Sequence, residues 1–296
     1  MNDIFFSLSL KDAINRGVEW LVAAYGDTFH AVSEALLRWV LVPLESALRA
    51  APAWLVLLAV GLLAWHATRK IWLSLLLVGL LYLIGTFGLW EKLMETLTLV
   101  IIATVLTLLI GIPLGVWMTR NRLLRRLLLP ILDVMQTLPT FVYLIPILML
   151  FGLGKVPAIF ATVIYALPPL IRLTYLGIDQ VDRDIAEAAW SFGVTKWQLL
   201  IGVQLPLARP SIMAGVNQAT MMALSMVVIA SMIGARGLGE DVLQGIQTLD
   251  TGTGLQAGFA IVILAIVIDR ISQAYGLTPR QRAMLKRAKT QTHAEH

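Results

Sequence analysis

The sequence predicts an all-α polytopic membrane protein with about seven transmembrane helices, on three observations. Apolar residues make up 58% of the 296, charged residues only 14%, and the mean hydropathy is +0.80. A soluble domain sits nearer ~45–50% apolar and ~25% charged. Long apolar runs recur along the chain, separated by short polar segments. Lysine and arginine are shared unevenly among those segments, as the distribution of basic residues across a bilayer requires. The absence of cysteine excludes disulfides and thiolate metal sites. The net charge of +5 is explained by where the basic residues sit, so it does not argue for nucleic acid.

Residues 1–50 are mixed. Phe29, Val32, Leu36, Trp39, Val40 and Leu44 recur at helical spacing, with Glu34, Arg38 and Glu45 elsewhere around the turn. That pattern fits an interfacial helix on the bilayer or one packed against the protein's own spans. Lys11, Asp12, Arg16 and Glu19 interrupt any apolar core of a cleavable signal peptide. Residues 51–92 hold two spans, 52–67 and 71–90, joined at Arg69-Lys70. His66, at the end of the first, reads as an interfacial residue. The region 93–275 holds five more. A span at 95–118 is followed by Arg120, Arg122, Arg125 and Arg126 and an amphipathic membrane-hugging helix. A fourth span is expected at 138–153 and a fifth at 156–178, with Pro168-Pro169 bending or breaking it. The sixth is expected at 208–234 and the seventh at 255–275. The tail 276–296 is basic and solvated.

Between the fifth and sixth spans, residues 179–210 are polar and amphipathic. Residues 181–190 read as a short helix. Gly193 suits a turn with positive φ. Thr195 followed by Gln198 reads as a capping box that opens a second short helix, which Pro206 and Pro210 are expected to end. Glu187 and Asp184 are presented beside small alanines.

Within this segment, Glu187-Ala188-Ala189, then Gly193, then Val203-Gln204-Leu205-Pro206, resembles the coupling loop of bacterial ABC importer permeases. Val203 stands where that family usually has Ile. The runs Gln136-Thr137-Leu138-Pro139-Thr140-Phe141-Val142-Tyr143, Ala166-Leu167-Pro168-Pro169 and Met232-Ile233-Gly234-Ala235-Arg236-Gly237-Leu238-Gly239 resemble the glycine betaine, proline betaine and choline permeases. The resemblance implies a type I ABC importer permease fold with five core helices and two N-terminal additions. It implies a coupling loop that docks on a separate cytoplasmic ATP-binding cassette subunit, through Asp184, Glu187, Ala188, Ala189 and Gly193. Leu205 and Pro206 would fix that loop to the sixth span. It further implies an extracytoplasmic substrate-binding protein, a second copy of the permease, and solutes such as glycine betaine, proline betaine, choline or carnitine. ATP and magnesium would be held by the partner, with no cofactor on this chain.

The basic residues agree with that orientation. With the coupling loop inside a bacterial inner membrane, most of the 23 lysines and arginines fall on the inner side. Residues 1–50, which hold more acids than bases, fall outside, and the C-terminus inside.

Gly154-Lys155 is not a phosphate loop, because Met149 and Val156 stand where the motif needs Gly and Ser or Thr. No Ser/His/Asp set points to an enzyme and no ligand cluster to a metal. Ionisable groups are nearly absent from the span interiors, which argues against proton coupling. An ion-coupled secondary transporter without an ATPase stays open, since broken helices can bind sodium. In span six, Asn217, Met221, Met222 and Ser225 are candidates to line the pathway, and in span four Gln136, Thr137 and Tyr143. For any one of these residues packing between helices is the favoured reading; as groups, span six comes first for lining the pathway and span four second. The tryptophans are placed as interface anchors rather than as a cage for a quaternary ammonium ion. The glycine-rich acidic stretch 237–252 could be an ordinary loop or a docking surface for the binding protein.

Overall fold

The computed structural model describes residues 10–276, all of them in helices or the turns between them. The basic, solvated tail expected at 276–296 lies almost wholly in residues 277–296, outside the described residues. The N-terminal arm is α1 (Leu10–Leu36) and α2 (Val42–Ala50), joined by a π-helical turn over Leu37–Leu41. It meets α3 (Ala53–Thr68) at 104°. Next come α4 (Ile71–Thr86) and α5 (Trp90–Arg120), then α6 (Arg122–Thr137), α7 (Thr140–Phe151) and α8 (Lys155–Asp179). Two short helices, α9 (Arg183–Ser191) and α10 (Lys196–Leu199), lead through a π turn at Leu200–Gln204 into α11 (Leu205–Ala230). A third π turn, Ser231–Ala235, precedes α12 (Leu238–Thr248) and α13 (Thr251–Gly276).

Among the described residues four helices are long and apolar enough to cross a membrane, α5, α8, the rod Lys196–Ala230 and α13, and up to six spans result if each of two bent pairs counts as one. Their ends fix an antiparallel order. Arg120 at the end of α5 donates to the carbonyl of Lys196 at 2.9 Å, so α5 finishes beside α10. Lys155 at the start of α8 lies 3.5 Å from Glu95 near the start of α5. Gln256 in α13 donates to the Phe87 carbonyl just before α5. Tyr275, at the other end of α13, meets His66 at the end of α3. One end of the bundle therefore carries α9 and α10, and the other carries α2 and α12.

The centre is α8, 67% of whose most apolar stretch is buried, against 28% for α13. It packs most heavily on α11 and α5. Small residues make this possible. Gly111 and Gly115, one turn apart on α5, face Leu170 and Thr174, and Gly215 of α11 faces Leu173 and Leu170. Without side chains at these points the backbones approach closely, and dispersion contacts replace the hydrophobic effect that lipid cannot supply.

One expectation is corrected and two are narrowed. The fourth span is not one straight helix: α6 and α7 are together apolar and long enough to cross only as a bent pair, a broken span or a re-entrant loop. α7 has only 12 residues, about 18 Å of helix against a ~30 Å hydrocarbon core, and meets α6 at 104°. The break falls at Leu138-Pro139, because the residue before a proline avoids helical ψ; Leu138 is extended at ψ 135. Pro206 and Pro210 do not end a helix. The π turn before Pro206 widens the ladder where the proline lacks its N–H, and the rod runs on to Ala230. Of the bend or break expected at Pro168-Pro169 the break does not occur: α8 continues to Asp179 with both prolines buried between its neighbours. α3 and α4, the two added spans, have 16 residues each, and α4 is apolar but short of a stand-alone span.

Candidate functional site

The polar segment between α8 and α11 is built locally. Asp182 caps α9, its carboxylate accepting from the Asp184 amide at 3.0 Å. The helix ends at Gly193, whose φ of 74° lies where a side chain would be strained. α10 opens on a capping box. The Gln198 amide donates to the Thr195 hydroxyl at 3.3 Å, and the Thr195 amide donates to the Gln198 side chain at 2.7 Å. Both caps satisfy amides that the first turn of a helix leaves orphaned.

Glu187, Asp184 and Ala188 are exposed on α9, Ala189 is half-buried, and nothing stands within 4 Å of the position a Gly193 Cβ would take. Leu200, Ile178 and Ala208 form a small buried cluster that pins the segment to α8 and α11, with Leu205 packed against it and Pro206 exposed beside it. The segment also presents large apolar side chains with no cover: Phe192 is 88% exposed, Trp197 70% and Trp190 45%. Sequence reading passed over these aromatics, although three within eight residues of a polar stretch were a signal. Uncovered aromatics grouped on so short a polar segment make it a candidate contact surface.

The candidates for a pathway divide. On α11, Ala214, Gln218 and Ser225 are exposed and Met221 and Met222 half-buried, at spacings that put them on one open face. Asn217 instead turns to α13, its amide donating to Asp269 at 3.2 Å and its carbonyl accepting from the Ser272 hydroxyl. Tyr143 is buried. Its ring meets Tyr165 edge-on at 5.8 Å, and its hydroxyl donates to the Met135 carbonyl. Gln136 accepts from Arg172, which also pairs with Asp133 at 2.8 Å and so ties α6 to α8. The Thr137 hydroxyl is spent on the Val134 carbonyl.

At the opposite end, five charges that the sequence did not bring together lie in one cluster. Lys155 sits 2.6 Å from Glu45 and 3.5 Å from Glu95; Arg49 sits 2.7 Å from Glu91 and 3.4 Å from Glu95. This joins α2 to α5 and α8. Beside it Lys92 pairs with Asp241, joining α5 to α12. The pairs between helices join residues 42 or more positions apart, so no local pattern could have announced them.

The strain at this end is concentrated after α11. Arg236 has φ 57° and ψ 170°, a region otherwise left to glycine, flanked by Gly234 at φ 106° and Gly237 at φ 113°. A Cβ on Gly237 would come within 2.6 Å of the Thr96 hydroxyl, which accepts from the Leu238 amide at 3.0 Å. α12 is thereby seated on α5.

Comparison with known proteins places this architecture. Residues 111–279 match the family described as binding-protein-dependent transport system inner membrane component. The chain is 45% identical over 275 residues to the glycine betaine/proline betaine transport system permease protein ProW of Escherichia coli strain K12, covering 93% of this chain and 77% of that one. It is 42% identical over 276 residues to the glycine betaine transport system permease protein OpuAB of Bacillus subtilis strain 168, covering 93% and 97%. Among solved structures, an inward-facing conformation of the MetNI methionine ABC transporter matches with a TM-score of 0.56 at 23% identity, over 64% of this chain and 97% of that one.

Proposed function

The chain belongs to the family of binding-protein-dependent transport system inner membrane components, and from that premise we propose how it works as an ABC importer permease and what it carries. The solutes are quaternary ammonium compatible solutes of the kind named for its relatives, which include glycine betaine, proline betaine, carnitine and choline. The family and the fold carry no argument for the ion-coupled carrier. Two copies face each other across the pathway, each gripped by one cytoplasmic ATP-binding cassette subunit that holds ATP and magnesium. An extracytoplasmic binding protein delivers the solute. The N-terminal arm lies on the outer side and the C-terminus in the cytoplasm, the orientation supported by the clustering of Arg120, Arg122, Arg125, Arg126 and Lys196 at the α9–α10 end.

The observation that carries this reading is the capped, exposed elbow of α9, Gly193 and α10, tied at both ends to central helices and bearing uncovered Phe192 and Trp197. Glu187 supplies a charged contact to the ATPase, Ala188, Ala189 and Gly193 allow close approach, and the two aromatics fill apolar pockets on it. Closure of the ATPase pair on ATP moves the elbow, and α11, continuous with it, carries that movement across the membrane.

The test is Gly193→Trp in the complex reconstituted with its ATPase and binding protein. The variant inserts and assembles, but ATP hydrolysis no longer drives uptake. ATP-dependent uptake at the wild-type rate by Gly193→Trp would remove the elbow from the coupling path.

A further inference from the structure

We propose that Arg236 is a specificity-determining residue that receives the carboxylate of a zwitterionic solute at the outer mouth of the pathway. The inference rests on the importer reading above and deepens it. Three features of the site carry it. First, an arginine occupies a backbone conformation that glycine alone adopts freely, so the side chain is held there at the expense of the turn. The turn cannot relax, because Gly237 abuts Thr96 and Gly239 abuts Val228 and Ser231. Second, the guanidinium is exposed and has no hydrogen bond or ion pair among the described residues. Of the two acids that follow it in sequence, Asp241 pairs with Lys92 and Glu240 stands 4.0 Å from the same lysine. Third, Arg236 follows α11 at the far end from the elbow, beyond the open face that runs through Gln218, Met222 and Ser225.

A planar guanidinium with five donors matches a carboxylate in two parallel hydrogen bonds and has little to offer a quaternary ammonium group. The open face beyond it bears hydroxyl, amide and thioether groups and no acid. A solute held by its carboxylate at the mouth meets no counter-charge that would trap its cationic end further along. Selection by the permease therefore reads the anionic end of the solute.

The experiment uses the full complex in lipid vesicles with glycine betaine as the probe, and compares the wild type with Arg236→Gly, Arg236→Gln and Arg236→Lys. Arg236→Gly removes both charge and strain and should fold at least as well as the wild type, which thermal unfolding checks. Arg236→Gln removes charge alone; Arg236→Lys keeps it. The expected result is at least a ten-fold fall in uptake turnover for the Gly and Gln variants and partial recovery for Lys. The affinity of the binding protein for the complex should stay within two-fold of the wild type. A parallel fall in that affinity would assign Arg236 to a carboxylate on the binding protein and overturn the proposal. So would unaltered uptake, or a Lys variant no better than Gln. A wild-type complex that takes up no betaine would fail the importer reading itself, and this inference with it.

Discussion

Replacing Gly115 by alanine adds one methyl group where α5 crosses α8. That methyl carbon would stand 2.7 Å from the Thr174 Cβ, 2.8 Å from its Cγ2 and 2.9 Å from the Ile171 carbonyl oxygen. Carbon atoms rest at ~3.5–4.0 Å, so the helices must part by roughly 0.8 Å. The threonine cannot swing clear, since its Cβ is fixed to the backbone, and the carbonyl is backbone itself. Overpacking of this kind costs ~1–3 kcal/mol, and alanine recovers up to ~1 kcal/mol by its higher helix propensity. The net expectation is a loss of up to about 2 kcal/mol. Gly79 of α4 is the matched control, because nothing lies within 4 Å of its missing Cβ. Gly79→Ala should be neutral or stabilising by up to ~1 kcal/mol. Thermal and denaturant unfolding of the purified protein in one detergent would compare the two. Equal stability of Gly115→Ala and Gly79→Ala would refute the claim that α5 and α8 are held by backbone proximity.

Three further outcomes are expected. Lys155→Met leaves the carboxylates of Glu45 and Glu95, 14% and 9% exposed, with Arg49 as their remaining cation at 3.6 and 3.4 Å; a loss of up to about 3 kcal/mol is expected in unfolding, partly recovered by adding Glu45→Leu. Thr195→Ala removes half the capping box and should cost about 1 kcal/mol, read as faster hydrogen exchange over 196–200 with the transmembrane helices unaffected. The Asp250 carboxyl is held below the usual carboxylate range by the Thr253 hydroxyl and then by the Thr253 amide, with the Gly252 amide a smaller help. The unfolded chain therefore takes up this proton first on acidification. The stabilisation is complete at neutral pH and lost as pH falls through ~3.9 and below, which Asp250→Asn should flatten in a stability profile against pH.

What could be read beforehand was local. Thr195 and Gln198 lie three residues apart, and a capping box is complete within one turn, so it was visible in the sequence and appears as expected. Gly193 was legible for the same reason. The prolines misled because their effect depends on what surrounds them. Pro206 follows a π turn that absorbs its missing donor, and Pro168-Pro169 lie in a helix enclosed by α5 and α11. The Glu45–Lys155 pair spans 110 residues, and no periodicity connects its members. Gly111 and Gly115 were plain in the sequence, but their meaning depends on Leu170 and Thr174 opposite. Arg236 reads as an ordinary loop arginine until its backbone angles are known.

The rod from Lys196 to Ala230 has 35 residues and no break. At 1.5 Å per residue it is about 52 Å long, more than the thickness of a hydrocarbon core. A stick of that length magnifies: tipping its foot by about 5° sweeps its head through about 4–5 Å, wider than a water molecule. Motion begun at Trp197 thus needs no relay of shifting side chains to be felt at the opposite membrane face.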